Sequence, residues 1–503
     1  MEQRRFHLST LMGRLRFLAL GAVLTSLSAA CARVTPIVAP GSVEAACERF
    51  FEGLDAMTVE AGVRDGGAAR VEGAPYLRAN RFLASFVQDD LSREAYAEWL
   101  ERLRATDAAA RRVELTRLAR DAVGRVPFSP FPAWSIEQSV RECGRRLVRR
   151  DLTSPERRAW LADRIAVPDA YRTWFRVAGL YPLTRIAFDE GVSALHRDLR
   201  GTFALPLDKI PRRGSLVRYV PASADSLAPG VVAQLMAAAS DNALHVSEPR
   251  ADALERLYDN FAPVWEVDTG LADDRIGALR WWRGNRLGVD AGSPVVYRFA
   301  SHTRFRDENL LQLNYLVWFP RRTSEHALDI YAGRLDGLIW RVTLSANGQP
   351  LAYDSIHPCG CYYQVFPGIG YRVVQPNDGA ESVLSPYPLM AANQDHRLVI
   401  RVSSGRHYLQ AVYADANTGQ GIRYGWRDYE ELLVLPHPDG QRRSLFDQEG
   451  LVGDSQRLER FVLWASGIPS PGAMRQSGTQ AIALIGRRHF DDARLLERIL
   501  LSL

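Results

Sequence analysis

Residues 338–356 read LIWRVTLSANGQPLAYDSI, and this stretch decides the fold. Two runs that alternate between apolar and polar residues flank Asn347-Gly348, the dipeptide that best accommodates the positive φ angles of a tight type I′ turn. Counting outward from the turn pairs Leu344 with Leu351, Val342 with Tyr353 and Arg341 with Asp354. The last pair checks the register, because it sets opposite charges across from each other on the face that is not apolar. Upstream, Leu311 to Phe319 puts Leu311, Leu313, Tyr315, Val317 and Phe319 on one face and Gln312 and Asn314 on the other. Downstream, Leu398–Val402 and His407–Tyr413 form a second hairpin about Ser404-Gly405. Its apolar face takes Leu398, Ile400, Val402, Leu409, Ala411 and Tyr413, with His407 beside them as a core histidine. Residues 260–435 therefore read as an antiparallel β domain, either a sheet or a sandwich.

Before this region the apolar period is that of a helix. Ala95, Trp99, Leu100 and Leu103 keep the three-and-four spacing, Ser154-Pro155-Glu156 is a helix start, and a helix over Asp169 to Ala178 ends at Gly179. Residues 43–200 thus read as a helical bundle. A proline-rich connector, 201–259, follows, with helices at Val231–Ala239 and Ala251–Tyr258. Residues 436–503 read as a mixed segment with helices at Asp454–Trp464 and Asp491–Leu503 and a strand at Ala481–Ile485. The expected class is α+β: an N-terminal helical bundle, an antiparallel β-rich domain and C-terminal helices.

Composition excludes several classes. A chain of 503 residues that is 47% hydrophobic and 24% charged is not a disordered one. Past residue 31 no apolar run approaches the ~18–20 residues of a spanning helix. The net charge is +5, yet Lys209 is the single lysine among 63 basic residues, and the arginines are dispersed among 58 acids. Without a basic stripe or a binding motif, this reads as a protein with no nucleic-acid partner.

Residues 1–30 read as an export signal, with Arg4, Arg5, Arg14 and Arg16 before the uncharged run Phe17 to Ala30. Met12 by itself begins a conventional signal. Leu27-Ser28-Ala29-Ala30-Cys31 resembles the lipobox of bacterial lipoproteins. The resemblance implies that Cys31 carries the lipid, that residues 31–42 are a tether, and that Ala32 favours the outer membrane, with the protein facing the periplasm. Ordinary cleavage after Ala30, which would release a soluble periplasmic protein, is the alternative.

Five cysteines less Cys31 leave Cys47, Cys143, Cys359 and Cys361, an even number that permits two disulfides in an exported chain. Cys47 with Cys143 is the favoured bridge, and Gly360 makes one between Cys359 and Cys361 feasible. His357, Cys359 and Cys361 are also a partial ligand set for copper or zinc, needing a fourth ligand from His302, His326, His396, His407, His437 or His489; otherwise no cofactor is expected. Gly467-Ile468-Pro469-Ser470-Pro471-Gly472 lacks the spacing of a nucleophile elbow and reads as a stiffened loop. Ser470, Arg475 and Gln476 are its candidates for holding an anion or a glycan. Asp273-Asp274 and Asp491-Asp492 are adjoining carboxylates whose roles depend on folded distances. The functional expectation is a lipid-anchored binding or assembly module, held to the membrane by its lipid, with another envelope protein or a glycan as partner. The alternatives are a periplasmic hydrolase with its site in the β domain, or a copper or redox protein built on Cys359 and Cys361.

Overall fold

The computed structural model describes residues 41–118, 129–223, 226–375, 379–391, 396–416 and 419–503. The export signal, Cys31 and the tether up to residue 40 lie outside the described residues. The chain divides into residues 1–45 and a compact unit, residues 46–503. Of the first unit, residues 41–45 are described, and there Ser42 Oγ accepts from Ala45 N (3.1 Å).

The first part of the compact unit is mainly helical. Helices α1 (Val43–Glu60, entering from residues 43–45), α2 (Arg81–Ala84), α3 (Arg93–Arg117), α4 (Ile136–Leu152) and α5 (Pro155–Ala162) accompany a short hairpin, Ala69–Val71 with Ala74–Ala79. Local chemistry sets where the helices start. Ser92 Oγ accepts from Ala95 N, Ser135 and Gln138 form a reciprocal capping box, and Ser154 caps α5 ahead of Pro155. Phe50, Leu54, Tyr76, Trp99, Leu100 and Leu147 share one core, and a Cys47–Cys143 disulfide fastens α1 to α4. Then come α6 (Thr173–Ala178) and α7 (Tyr181–Phe203).

The remainder is built on a ten-stranded sheet. Its strands are β1 (Ser215–Pro221), β2 (Val264–Thr269), β3 (Val295–Phe305), β4 (Glu308–Arg322), β5 (Gly333–Leu344), β6 (Pro350–Ile356), β7 (Gln364–Pro367), β8 (Arg397–Val402), β9 (Leu409–Asp415) and β10 (Ile422–Asp428). The spatial order is β7-β6-β5-β4-β3-β10-β1-β2-β8-β9. The class is α+β, but the sheet is mixed rather than antiparallel throughout. β8 runs parallel to β2, and β10 runs parallel to both β1 and β3. Alternation along a strand records which residues share a face and is blind to the neighbour's direction, so only the long crossovers decide this.

Helices α8 (Pro229–Ala239) and α9 (Ala251–Phe261) cover one face of the sheet, where Val232, Met236, Leu257 and Tyr258 meet Leu311, Leu313, Tyr315, Val317 and Phe319 of β4. The C-terminal segment covers the other, where Phe446, Met474, Phe490 and Ile499 meet Leu310, Leu316 and Trp318. The expected polar positions of β4 are therefore buried too. Gln312 Nε2 donates to Thr343 Oγ1 (3.1 Å) and Asn314 Nδ2 to Ser301 Oγ (2.9 Å).

The central hairpin keeps the predicted pairs Val342–Tyr353 and Arg341–Asp354, whereas Leu344 faces Pro350 rather than Leu351. Gly348 has φ +78° and Asn347 does not have a positive φ, so the turn is not type I′. Gly348 N donates to Ser345 O (2.8 Å) and a bulge absorbs the extra residue before Ala352, which is the one-glycine alternative for joining two strands. The Arg341–Asp354 pair is fully buried, with Nε to Oδ1 at 2.8 Å, and Arg341 also lies 3.5 Å over the Phe490 ring. In the second hairpin a bulge between Arg401 and Val402 sends Val412, not Ala411 or Tyr413, into the shared core.

The C-terminal helices are largely replaced. Over 454–464 there are 3₁₀ turns at Gly453–Ser455, Leu458–Phe461 and Trp464–Ser466, because Glu459 N bonds to Ile330 O (3.0 Å) instead of to its own turn. Over 491–503 one helical turn, Leu495–Ile499, gives way to Leu500–Ser502, which pairs with Tyr371–Val373. Ala481–Ile485 is no strand; Ala481 makes a single bridge to His489.

Closing a loop across a sequence separation of 96 removes much of the unfolded chain's freedom. Cys143→Ala is therefore expected to lower the unfolding free energy by about 4 kcal/mol in urea titration; a loss under about 1 kcal/mol would refute that account.

Candidate functional site

The residues around His357-Pro358-Cys359-Gly360-Cys361 are held by one buried acid. Asp336 stands near the start of β5, just after Leu335, a leucine at φ +56°. It is wholly buried and is approached by His357 Nδ1 (3.1 Å), His407 Nδ1 (2.9 Å) and Arg457 Nη2 (3.3 Å). Burial by itself would raise its pKa, but His357 and Arg457, with the imidazole hydrogen bonds, hold it well below the usual carboxylate range.

His407 is in the β8–β9 turn at φ +54°, not on the strand face expected of it. Its ring stacks on Phe319 at 3.9 Å, and Nε2 comes within 3.3 Å of Asp274 Oδ1, an ion-pair contact rather than an aligned hydrogen bond. Burial opposes its protonation, yet the two carboxylates raise its pKa. His357 is lowered by burial in spite of Asp336, so the two imidazoles that share one acid shift in opposite directions. Asp274 also accepts from Ser404 Oγ and Gly405 N, both at 2.7 Å. Asp273 accepts from Thr323 Oγ1 (3.1 Å) and Asp491 pairs with Arg81. The adjoining carboxylates are thus engaged by separate partners: Asp273 by Thr323, Asp274 by Ser404 and Gly405, Asp491 by Arg81 and Asp492 by Arg498.

This cluster backs a cavity of about 610 Å³ between α7 and the end of the sheet. Phe188, Val192 and Leu195 of α7, together with Ile468, form an apolar side. The polar side includes Arg322, Tyr362, Tyr408, Glu459 and the two cysteines, with Glu325, Asp329 and Arg406 also on the lining. Arg322, the last residue of β4, is 3% exposed and donates from Nη1 to the Tyr362 hydroxyl (2.9 Å) and from Nη2 to the Tyr408 hydroxyl (3.1 Å). Among the described residues no carboxylate is in ion-pair contact with it, and its Nε has no partner. Each phenol accepts from the guanidinium, so its own proton is free to point to a third group.

Glu459 reaches the cavity from the 3₁₀ turn. It is 2% exposed, its Oε1 has no hydrogen-bond partner, and burial, opposed by Arg457 and Arg322, pushes its pKa up to about 7. Glu381, on the same cavity, is likewise raised by burial to about 7, while burial and Arg200 lower His196 to about 4. Backbone strain gathers here as well. Four of the eight non-glycine residues with positive φ among the described residues, Leu335, Tyr362, His407 and Ser470, surround the polar end. Such conformations cost of order 1–3 kcal/mol each and tend to cluster at functional sites.

Cys359 and Cys361 are unbridged, contrary to the expected second disulfide. Gly360 carries the turn at φ +91°, and a Cβ there would stand 2.0 Å from Ala481 O. The Cys359 sulfur accepts from Cys361 N (3.4 Å), and the Cys361 thiol is held protonated, well above its ordinary pKa, first by its hydrogen bond to Cys359 and then by burial. Among the described residues no group of three or more His, Cys, Asp or Glu is disposed to hold a metal. His357 points to Asp336, His302 contacts Ser247 O, and His437 and His489 contact Asp439 and Asp169.

Arg475 does belong to the site's surroundings, since its N donates to Pro358 O (3.1 Å) and its Nη2 to Ser470 O (3.2 Å). Ser470 meets it through the carbonyl, and Gln476 lies elsewhere, donating to Asp65 Oδ1 (2.7 Å). Sequence reasoning missed Arg322, Asp336, Glu459 and the two phenols. The one signal was position: Tyr362 directly follows the cysteine motif.

No family model matches the chain. Nor does any curated protein or solved structure. What the site can do must be argued from its own chemistry. A buried guanidinium that makes no close ion pair among the described residues, two phenols with protons to give and a carboxyl whose pKa burial raises make one end of the cavity suited to a strongly accepting or anionic group. The apolar side suits a hydrocarbon body.

A Glu459 carboxyl raised from 4.5 to about 7 binds protons in the folded state that the unfolded chain has already lost, so its contribution to stability falls as pH rises through that window. In urea titrations the stability of wild type minus that of Glu459→Gln is expected to drop by ~3 kcal/mol between pH 4.5 and 7; a flat difference would overturn the assignment.

Proposed function

We propose that the protein is a lipid-anchored envelope binding module, attached through Cys31, whose cavity takes a small amphipathic anion. The carrying observation is Arg322, a buried cation whose two outer nitrogens are spent on Tyr362 and Tyr408 and which has no carboxylate against it among the described residues. Burying a guanidinium without a close ion pair costs free energy, and an anion seated on the phenols would offset part of that cost. A volume near 610 Å³ is within the range of pockets for ligands of drug size. The Cys47–Cys143 bridge supports an exported chain, since such bridges persist in oxidising compartments.

Dodecanoate, a carboxylate with a hydrocarbon tail, serves as the probe. Calorimetry should register saturable binding that Tyr362→Phe with Tyr408→Phe weakens about tenfold, and that Leu195→Trp blocks by filling the apolar side. Dodecyltrimethylammonium should not compete. Binding unaffected by both sets of changes would overturn the reading. For the anchor, metabolic labelling with fatty acid should mark the wild type and leave Cys31→Ala unmarked; label retained by that variant would remove Cys31 from the proposal.

A further inference from the structure

Beside the cavity mouth the chain leaves an apolar surface uncovered. Trp174, Val177, Leu180, Leu183 and Ile186, on α6, α7 and the corner between them, are each 63–72% exposed. Solvent-exposed residues of this size are unremarkable singly, but a run of five within thirteen residues of two adjoining helices is a patch. The neighbouring 3₁₀ turn adds Leu458, Phe461 and Val462, all more than half exposed. The two parts belong together: Phe175 packs edge-on against Trp464 (5.9 Å), and Val462 and Ala187 border the same cavity.

Three features say what the patch faces. First, between Asp169 and Asp189 the chain holds Arg172, Arg176 and Arg185 and no acidic residue. Arg176 is turned inward, donating to Ser466 O (2.6 Å), which leaves Arg172 and Arg185 as the exposed charges of the stretch, both positive. Second, the corner is held in a conformation that serves exposure. Leu180 has φ +48°, a costly state for a leucine, although Gly179 beside it could have taken the left-handed position without strain. The effect is to hold Leu180 outward, where it gains nothing from the protein's own core. Third, Trp174, whose ring has an apolar body and a polar N–H suited to a membrane interface, stands well exposed among these side chains. Apolar side chains on a short helical corner, an exposed tryptophan and flanking arginines are the features of segments that rest in the interface of an anionic membrane.

We infer that the α6–α7 corner, with the adjoining 3₁₀ turn, docks the folded domain onto an anionic lipid bilayer, with Trp174, Leu180, Leu183 and Ile186 in the interface and Arg172 and Arg185 at the headgroups. The inference does not rest on the cavity's ligand or on the lipid at Cys31. It would hold the cavity mouth against the bilayer surface.

The test uses the mature chain from residue 31 carrying Cys31→Ala, which lacks both the apolar leader and the acyl attachment point, and large vesicles of phosphatidylcholine with one quarter phosphatidylglycerol. Sedimentation should show binding that falls at least tenfold in Leu183→Glu/Ile186→Glu, a pair of surface changes expected to leave the thermal midpoint unaltered. Binding should also weaken in 0.5 M salt and on pure phosphatidylcholine. Dibrominated lipid should quench the protein's fluorescence, and Trp174→Phe should remove most of that quenching. Equal sedimentation of the Glu pair and its parent would overturn the inference. So would quenching that survives Trp174→Phe, or failure of the Cys31→Ala chain to bind vesicles, including the case in which the patch instead pairs two copies of the chain in solution. Loss of dodecanoate binding with vesicle binding intact would refute the cavity reading alone.

Discussion

One buried carboxylate organises this end of the molecule. Asp336 of β5 is taken out of water between two imidazoles and a guanidinium, and those partners come from three other places in the chain: the loop after β6, the β8–β9 turn and the C-terminal turns. Desolvating a carboxylate is expensive unless every lone pair is met, so Asp336 is stable as an anion only when all four segments have arrived. The same requirement explains the strained backbone at Leu335 and His407. Those residues keep unfavourable angles because the side chains beside them or on them complete the ion cluster.

The cavity inherits its character from that arrangement. With Asp336 committed to His357, His407 and Arg457, Arg322 makes no close ion pair among the described residues and donates to two phenols instead. Glu459 is too buried to ionise readily and too near Arg322 and Arg457 to stay neutral, and the balance leaves its pKa near neutrality. The polar end thus offers donors from Arg322, Tyr362 and Tyr408 beside the carboxylates of Glu325 and Asp329, while α7 supplies the apolar side. That helix does two jobs: its inner residues line the cavity, and its N-terminal turns expose Leu183 and Ile186.

Much of the β region was legible before folding. Alternation located β4 and both hairpins, and charge complementarity identified the Arg341–Asp354 pair, because strand neighbours are fixed by counting from a turn. Errors occurred where a bulge or a distant partner intervened. Gly348 alone takes the left-handed angle, so the register slips by one at Leu344. The 454–464 segment has the apolar spacing of a helix, yet a carbonyl from residue 330 captures its backbone. Counting along the strand puts His407 on its apolar face, whereas it sits in the turn, clamped by two acids that are 71 and 133 residues away in sequence.

The sequence alone determined β4, the two hairpins, the helix that opens at Ser154 and the one carrying Trp99, Leu100 and Leu103, because each depends on local periodicity or residue type, and it favoured the Cys47–Cys143 pairing that the structure holds. The tertiary structure alone decided the mixed direction of the sheet, the unbridged state of Cys359 and Cys361, and the gathering of Arg322, Asp336, Glu459, Tyr362 and Tyr408 at one cavity. These are properties of residues brought together over tens to hundreds of positions, and the terms that govern them, burial of charge and completion of hydrogen bonds, have no value until the chain has closed around them.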